Sequence, residues 1–485
     1  MNKNIKYKCI AGLMAAALLA GCNDELDVEQ RDGQTVNDYL SNPANATNLV
    51  NGVYSKLLDF NMYSFSWIGI TSITSDDADK GSSAGDTGTD KHKMDALTFS
   101  SSDLSFNEIW TGRYEGIYRA NNAIFYLDQL QIDAALKNRL VAEAKFLRAL
   151  WYFDLVRCFG GVPVVTGNID LNDTETINEI VFTKKTKAEV YAQIETDLME
   201  AIPALPLKSQ YSAADMGRAT KGAAQALLAK AYLYQEKWQQ SFDMANEVIN
   251  SGQYGLLPNY AHVWREVGEN GAESIFEVQA TANLGLVDYT NVQGPRGTPD
   301  LGWGFNTPSE SLVNSYLPGD VRKDATILFS GSVLWDGFVT PATWTNPRYN
   351  YKAYQSQISE TWIGKGVTGK NLRILKYSDI LLIRAEAAFR LGNLSEAKNR
   401  LDELRLRTGL GPVTAPVTLQ TIINERRWEM AMEHERWFDL VRTGTAPAAM
   451  AANGKTFIVG THEVFPIPAP QVTASGGRLI QNNGY

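Results

Sequence analysis

The stretch from Ala142 to Pro163, AEAKFLRALWYFDLVRCFGGVP, constrains the fold more than any other part of the chain. Phe146, Leu150, Phe153 and Val156 recur at intervals of four, three and three, so a helix stacks them on one face, with Arg148, Asp154 and Arg157 on the others. Gly160 and Gly161 end that helix, and Pro163 keeps it ended. So large an apolar stripe, with Trp151 and Tyr152 beside it, must be covered by other helices, because an amphipathic helix draws most of its stability from packing.

The rest of the chain supplies them. Asn42-Pro43 opens a helix carrying Ala46, Leu49, Val50, Val53 and Leu57, and Phe106 to Leu130 and Lys187 to Ala204 continue the pattern. Two later segments read as helix, tight turn, helix over about 30 residues, the length of a helical repeat. They are Ala219 to Ile249, and Ile380 to Thr408 with Gly392-Asn393 at its turn. The small residues Ala385, Ala387, Gly392 and Ala397 resemble those of a tetratricopeptide repeat. The expected fold is mostly α: a TPR-like helical-hairpin scaffold, about 106–253 and 377–443, interrupted by a large irregular insertion at about 254–376 with short strands such as Ile275 to Val278. Ser75 to Asp95 reads as a long polar loop, and loops of that length inside a compact domain are commonly functional.

Residues 1–21 read as a signal peptide. Lys3, Lys6 and Lys8 precede an apolar run from Ile10 to Ala20 that is too short to span a bilayer, and Leu19-Ala20-Gly21-Cys22 follows at once. This looks like a bacterial lipobox, which implies cleavage before Cys22 and lipidation of its thiol, with residues 22–41 as the lipidated tether and 42–485 as a single domain. With Cys9 removed and Cys22 lipidated, only Cys158 remains, so the mature domain gains nothing from internal disulfides. A net charge of −9 argues against a nucleic-acid binder, which would carry a basic stripe.

The signature helix resembles that of the SusD/RagB family, surface lipoproteins that capture nutrients for an outer-membrane transporter. The resemblance covers nearly the whole chain in order. It continues in GRATKGAA at 217–224, ESIFEVQ at 273–279, GWGFNTP at 302–308, YSDILLIRAEA at 377–387, ERRWE at 425–429, ERWFDLVRTG at 435–444, FPIP at 465–468 and QNNGY at 481–485. The acidic Asn23-Asp24-Glu25-Leu26-Asp27 resembles the export signal of Bacteroidetes surface lipoproteins. The implied protein is non-catalytic and anchored to the outer membrane through lipid. It would bind an oligosaccharide or polysaccharide and act as a lid on a SusC-like TonB-dependent transporter.

Candidate chemistry follows from residue types. Histidines are scattered, and no metal-ligand or cofactor motif appears; Asp77, Asp79 and Asp86 hint at calcium but lack an EF-hand's length and terminal Glu. Gly364 to Asn371 satisfies G-x-G-x-x-G yet leads into a segment too short for a phosphate-binding helix. A glycosidase needs paired carboxylates, for which Asp76-Asp77 and Glu433 with Glu435 are the visible candidates, and a solvated or ion-paired role suits them better. Pyranose rings present C–H faces on which Trp and Tyr stack while polar neighbours bond the hydroxyls. The expected ligand-binding residues are Trp67, Asp76, Asp77, Lys80, Tyr289, Trp335, Trp344 and Trp362, with Tyr63, Phe65, Tyr351 and Tyr354 as further aromatics. Where the resemblance points to the founder's starch contacts, the first loop here departs from the founder, being acidic and without Trp, so the resemblance implies a glycan without identifying it as starch. A peptide cargo, as in the RagB branch, and an extracellular glycosidase are the alternatives.

Overall fold

A computed structural model describes residues 42, 44–170, 172–281 and 283–485. Cys22, the expected signal peptide at 1–21 and the expected tether at 22–41 lie outside the described residues. Ala46–Tyr485 form one compact unit.

Ten helices of the scaffold carry the argument: α1 Asn45–Tyr54, α2 Leu104–Gln129, α3 Ala134–Phe159, α4 Lys187–Ala201, α5 Lys221–Tyr234, α6 Trp238–Asn250, α7 Tyr377–Arg390, α8 Leu394–Arg407, α9 Leu419–Met430 and α10 Arg436–Arg442. The signature helix is thus longer than its apolar pattern alone indicates. Asp133 starts it by accepting the Leu136 amide at 2.9 Å, and its first turns are polar because they lie near the surface. Thr186 and Glu189 start α4 as a reciprocal cap, with Thr186 donating its amide to Glu189 at 2.7 Å and accepting the Glu189 amide at 3.2 Å.

Consecutive helices from α2 to α8 pack against one another, and α6 packs on α7 across the insertion that separates them in sequence. The hairpin stack is therefore continuous in space although broken along the chain. Small side chains make this possible: Ala223, Ala224, Ala226, Ala229 and Ala231 of α5 and Ala385, Ala387 and Ala388 of α7 are all buried, which lets neighbouring helix axes approach closely. The signature helix lies deepest. From Phe146 to Phe159 every residue but Arg157 is fully buried, and even Arg157 has a buried side chain, so the expected polar faces of α3 meet protein rather than water.

The charged residues there survive burial because each is paired. Arg113 of α2 donates to Asp154 at 3.1 Å, Asp154 accepts from Arg157 at 2.8 Å, and Arg157 reaches Glu435 at 3.2 Å. Lys230 of α5 links Glu435 (2.9 Å) to Asp379 (3.0 Å), and Arg426 links Asp379 (2.6 Å) to Asp439 (2.7 Å). Arg442 then ties Asp439 (2.8 Å) to Glu386 (2.7 Å). This unbroken line of alternating charge joins α2, α3, α5, α7, α9 and α10, and it accounts for the charged residues of the sequence motifs on those helices as structural.

The insertion contributes short strands. β1 Ala78–Gly81 lies in the first loop, followed by β2 Ser274–Val278, β3 Leu286–Val287, β4 Phe305–Pro308, β5 Ile327–Phe329, β6 Arg348–Asn350, β7 Val367–Thr368 and β8 Leu372–Lys376. They form two-stranded antiparallel pairs: β1 with β4, β2 with β8, β3 with β7 and β5 with β6. Two sequence readings are settled here. The segment after Gly364–Asn371 is strand β8, paired with buried β2, so no helix opens there to hold a phosphate. The stretch from Ser75 to Asp95 is not wholly loop, because β1 and the start of a short helix, Lys91–Ala96, lie within it.

Candidate functional site

The β1–β4 pair fixes an open aromatic cleft. Gly81 sits opposite Phe305, which lays the loop after β1 against the turn before β4. Both turns depend on glycine: Gly81 (φ +71°) and Gly304 (φ +77°) adopt a conformation that other residues resist. A side chain at Gly81 would also come within 2.4 Å of the Gly304 carbonyl. Between the two loops opens a cleft of about 700 Å³, lined on one side by Asp86, Gly88 and Thr89 and on the other by Arg296, Thr298, Asp300, Trp303 and Thr345.

Its apolar surface is a group of three rings. Phe65 meets Trp303 edge-on at 5.7 Å and Phe305 at 4.8 Å, while Trp303 itself is 36% exposed. The Trp303 amide donates to the Asn291 carbonyl at 2.6 Å, anchoring the backbone that carries the ring. An aromatic face held by its backbone and open to solvent stacks on a sugar ring with little ordering cost.

The polar rim is pre-set and electrically balanced. Arg296 donates to Asp86 at 2.7 Å and to Ser82 at 2.5 Å, tying the two walls together. Burial tends to raise the Asp86 carboxyl, but the Gly88 amide and the Arg296 guanidinium outweigh it and hold it below its ordinary value. Asp300 is matched by Lys365 at 2.6 Å. Lys80 sits behind the loop and donates to the Gly81, Ser83 and Asp86 carbonyls at 2.9, 3.1 and 2.6 Å, so it shapes the rim.

The structure places the residues expected from sequence elsewhere, and several expectations are corrected. Trp67 is core, 4% exposed, between Tyr63 and Phe438 with the Arg113 guanidinium 4.4 Å over its ring. Asp76 and Asp77 are buried: Arg436 grips Asp76 at 2.7 and 2.8 Å, and Arg427 donates to Asp77 at 2.6 Å. Burial raises both carboxyls; Arg436 prevails at Asp76, which is lowered, whereas Asp77 remains raised. Tyr289 is buried, its hydroxyl 3.2 Å from Nε2 of His434, a ring that burial keeps neutral with its pKa pushed down to about 3. Trp344 is 5% exposed, packed with Tyr349 and Phe338, and its indole N–H donates to the Pro299 carbonyl at 3.1 Å.

Trp335 is exposed, at 38%, with the Arg265 guanidinium 4.4 Å over its ring, and Trp362 is half-buried; neither lines the cleft. Of the residues singled out from sequence, Phe65 lines the cleft and Lys80 adjoins it from behind. Trp303, Arg296 and Asp300, which line the cleft, were not singled out from sequence. The available signal was a Trp within a glycine-rich turn, GWG, where a packing role is the ordinary reading.

The paired carboxylates considered for hydrolysis are also engaged. Glu433 accepts from Lys352 at 2.6 Å, Lys376 at 2.7 Å and the Trp264 indole at 2.9 Å, and Glu435 belongs to the buried charge line. Among the described residues no group of His, Cys, Asp or Glu is disposed to hold a metal ion. Cys158 is buried and its thiol is pushed up to about 12 by desolvation, which leaves it inert.

A rigid helical scaffold that presents an open, aromatic, charge-balanced cleft on loops has the build of a binding protein. Comparison with known proteins agrees. Residues 26–233 match a family described as starch-binding and associating with the outer membrane, and residues 272–485 match the SusD family. A solved laminarin-binding SusD-like protein is 30% identical, with a TM-score of 0.78 over 92% of this chain and all of its own. Surface glycan-binding protein A from Bacteroides thetaiotaomicron, solved with laminarihexaose, is 25% identical, with a TM-score of 0.78 over 91% of this chain and 99% of its own. SusD-like protein P2 of Formosa agariphila is 26% identical across 99% of this chain and all of its own. The chain belongs to the SusD/RagB family, whose glycan-binding members are non-catalytic binding proteins of the outer-membrane surface.

Proposed function

We propose that the protein captures a neutral oligosaccharide in the cleft between the loop after β1 and the turn before β4. It would be held to the outer membrane through lipid on Cys22 and deliver its cargo, as a lid, to a SusC-like TonB-dependent transporter. The observation that carries this reading is Trp303, an exposed indole fixed by its backbone beside hydroxyl and charged groups that can bond sugar hydroxyls. Because Asp86 is matched by Arg296 and Asp300 by Lys365, the cleft offers no uncompensated charge to an acidic or basic polymer. Laminarin is the first glycan to try, since one relative of similar fold is named as laminarin-binding and another was solved with laminarihexaose. The peptide alternative would suit an aromatic-poor cavity, and this cleft is aromatic.

The test is calorimetry and affinity electrophoresis of the full chain in detergent against laminarin and a panel of neutral and acidic polysaccharides, with polymer length measured before and after. Retention without shortening, weakened about tenfold or more by Trp303→Ala while the melting temperature holds, is the expected result. Equal affinity in Trp303→Ala would remove the cleft from consideration as the site.

A further inference from the structure

Between β5 and β6 the chain doubles back in a small hairpin that lines no part of the Trp303 cleft. Val333 bridges Val339, and the Leu334 amide donates to the Phe338 carbonyl at 2.8 Å. Successive side chains of an extended segment point to opposite faces, so Leu334 and Phe338 turn into a core with Trp344. Val333, Trp335 and Val339 are left exposed on the outside. The Arg265 guanidinium, 4.4 Å over the Trp335 ring, covers one face of the indole, and the solvent contact of Trp335 falls to its other face and edge.

Around this ring the acceptors are taken and the donors are not. Asp336 accepts from the Tyr354 hydroxyl at 2.7 Å, the Ser356 hydroxyl at 2.5 Å and the Phe338 amide at 3.0 Å. Glu360 accepts the Glu266 and Ser356 amides at 2.9 and 2.8 Å. The Trp335 amide donates to the Tyr351 hydroxyl at 3.0 Å, which fixes the backbone that carries the indole and leaves the Tyr351 hydrogen to donate. Among the described residues the half-buried Arg265 guanidinium forms no ion pair and no hydrogen bond, and the Trp335 indole N–H has no acceptor. Three donors of different elements thus surround one exposed aromatic ring, and sugar hydroxyl and ring oxygens are the acceptors that suit them. Burial works against the Arg265 charge, and Tyr351, Glu360 and Asp336 offset it in part, so the surface exerts little net pull on a charged polymer.

We propose that the Trp335 hairpin is a second glycan-contact surface. One pyranose ring of a neutral polysaccharide stacks on the open side of the Trp335 indole, and Arg265 and Tyr351 donate to its oxygens. The inference rests on the reading of the protein as glycan-binding, and its ligand is another stretch of the polymer that occupies the Trp303 cleft. Trp344 ties the two places together: its indole N–H donates to the Pro299 carbonyl at 3.1 Å, beside the cleft, and Phe338 of the hairpin stacks on it at 6.2 Å. Two contacts held on one packed lobe raise the affinity for a long chain without any further contact, because the second binds as an intramolecular step.

The test is oxidative footprinting. The full chain in detergent is treated with N-bromosuccinimide, alone and with laminarin, pullulan, xylan or polygalacturonate, and the oxidised tryptophans are located by mass spectrometry. Trp335 is expected to be oxidised in the free protein and protected by the neutral polymer that protects Trp303, and to remain protected in Trp303→Ala. Trp335→Ala is expected to weaken retention of that polymer about tenfold at an unchanged melting temperature. Protection of Trp303 without Trp335 overturns this inference and leaves the cleft reading standing, as does undiminished retention by Trp335→Ala. Protection of Trp335 without Trp303 supports the hairpin surface and removes the cleft. Protection of Trp335 by polygalacturonate alone overturns the neutral ligand, and oxidation of both tryptophans under every polymer overturns both sites.

Discussion

Guanidinium and carboxylate meet in two regions of this molecule with opposite consequences. In the scaffold, Arg426 bridges Asp379 and Asp439 out of reach of water; at the cleft, Arg296 bridges Asp86 and Ser82 with both charged side chains a third or more exposed. The buried set has no freedom to exchange partners, since each group removed leaves another desolvated and alone. The cleft pair can trade its bonds for sugar hydroxyls at little cost, because water already screens it. Burial, and not residue type, separates a structural charge from one available to ligand.

The strongest way to break this comparison is to remove one member of the buried line. Arg426→Ala should cost about 3–5 kcal/mol in chemical denaturation, because Asp379 and Asp439 both lose a partner. A loss below about 1 kcal/mol, the size usual for exposed pairs, would show that the line is not a framework. Two of the insertion's tryptophans sharpen the same contrast without charge. Trp344→Ala should destabilise by about 3 kcal/mol or more, since it empties packed core, whereas Trp335→Ala should stay within about 1 kcal/mol.

Titration separates the regions by sign. Burial tends to raise the Asp379 and Glu429 carboxyls, but Arg426 and Lys230 for the first, and Arg407, Lys376 and Arg322 for the second, hold both well below the usual range. Their folded values lie below the unfolded ones near 4, so their contribution is complete above about pH 5 and is lost as the pH falls. In the insertion, burial raises Glu269 to about 7, only partly offset by Arg373 and the Asn371 amide. Its folded value exceeds its unfolded one, so its contribution is complete below about pH 4 and is lost as the pH rises through 7. Glu269→Gln should therefore stabilise the protein at pH 8 by about 1–2 kcal/mol and change little at pH 4. Denaturation midpoints at both values check this; equal effects at the two pH values would contradict it. The smallest effect is expected at the cleft: Arg296→Gln should cost no more than about 1 kcal/mol of stability, measured by the same denaturation curves.

Much of the scaffold was legible because helices announce themselves locally. The spacing of Phe146, Leu150, Phe153 and Val156 indicated α3, and Gly392-Asn393 the turn between α7 and α8. Side-chain exposure in the insertion was not legible. Trp303, Trp335 and Trp344 occur within similar polar, Gly- and Pro-rich surroundings, yet one lines the cleft, one stacks under Arg265 away from it, and one fills core. Their fates depend on β1 pairing with β4 and β5 with β6, contacts between segments too distant in sequence for any local pattern to encode.

Asp76 and Asp77 show the same limit. Adjacent acids in a polar loop look like surface groups, and only the approach of α10 and α9, which bring Arg436 and Arg427, makes them buried partners. The sequence by itself determined a mostly helical chain of paired helices, the placement of its large insertion and the resemblance of its motifs to the SusD/RagB family. Those properties rest on periodicity and short motifs. Tertiary structure alone decided which aromatics meet solvent, which charges cancel, and where the aromatic cleft opens. Those outcomes depend on which distant surfaces exclude water from one another, and water exclusion is a property of the assembled fold.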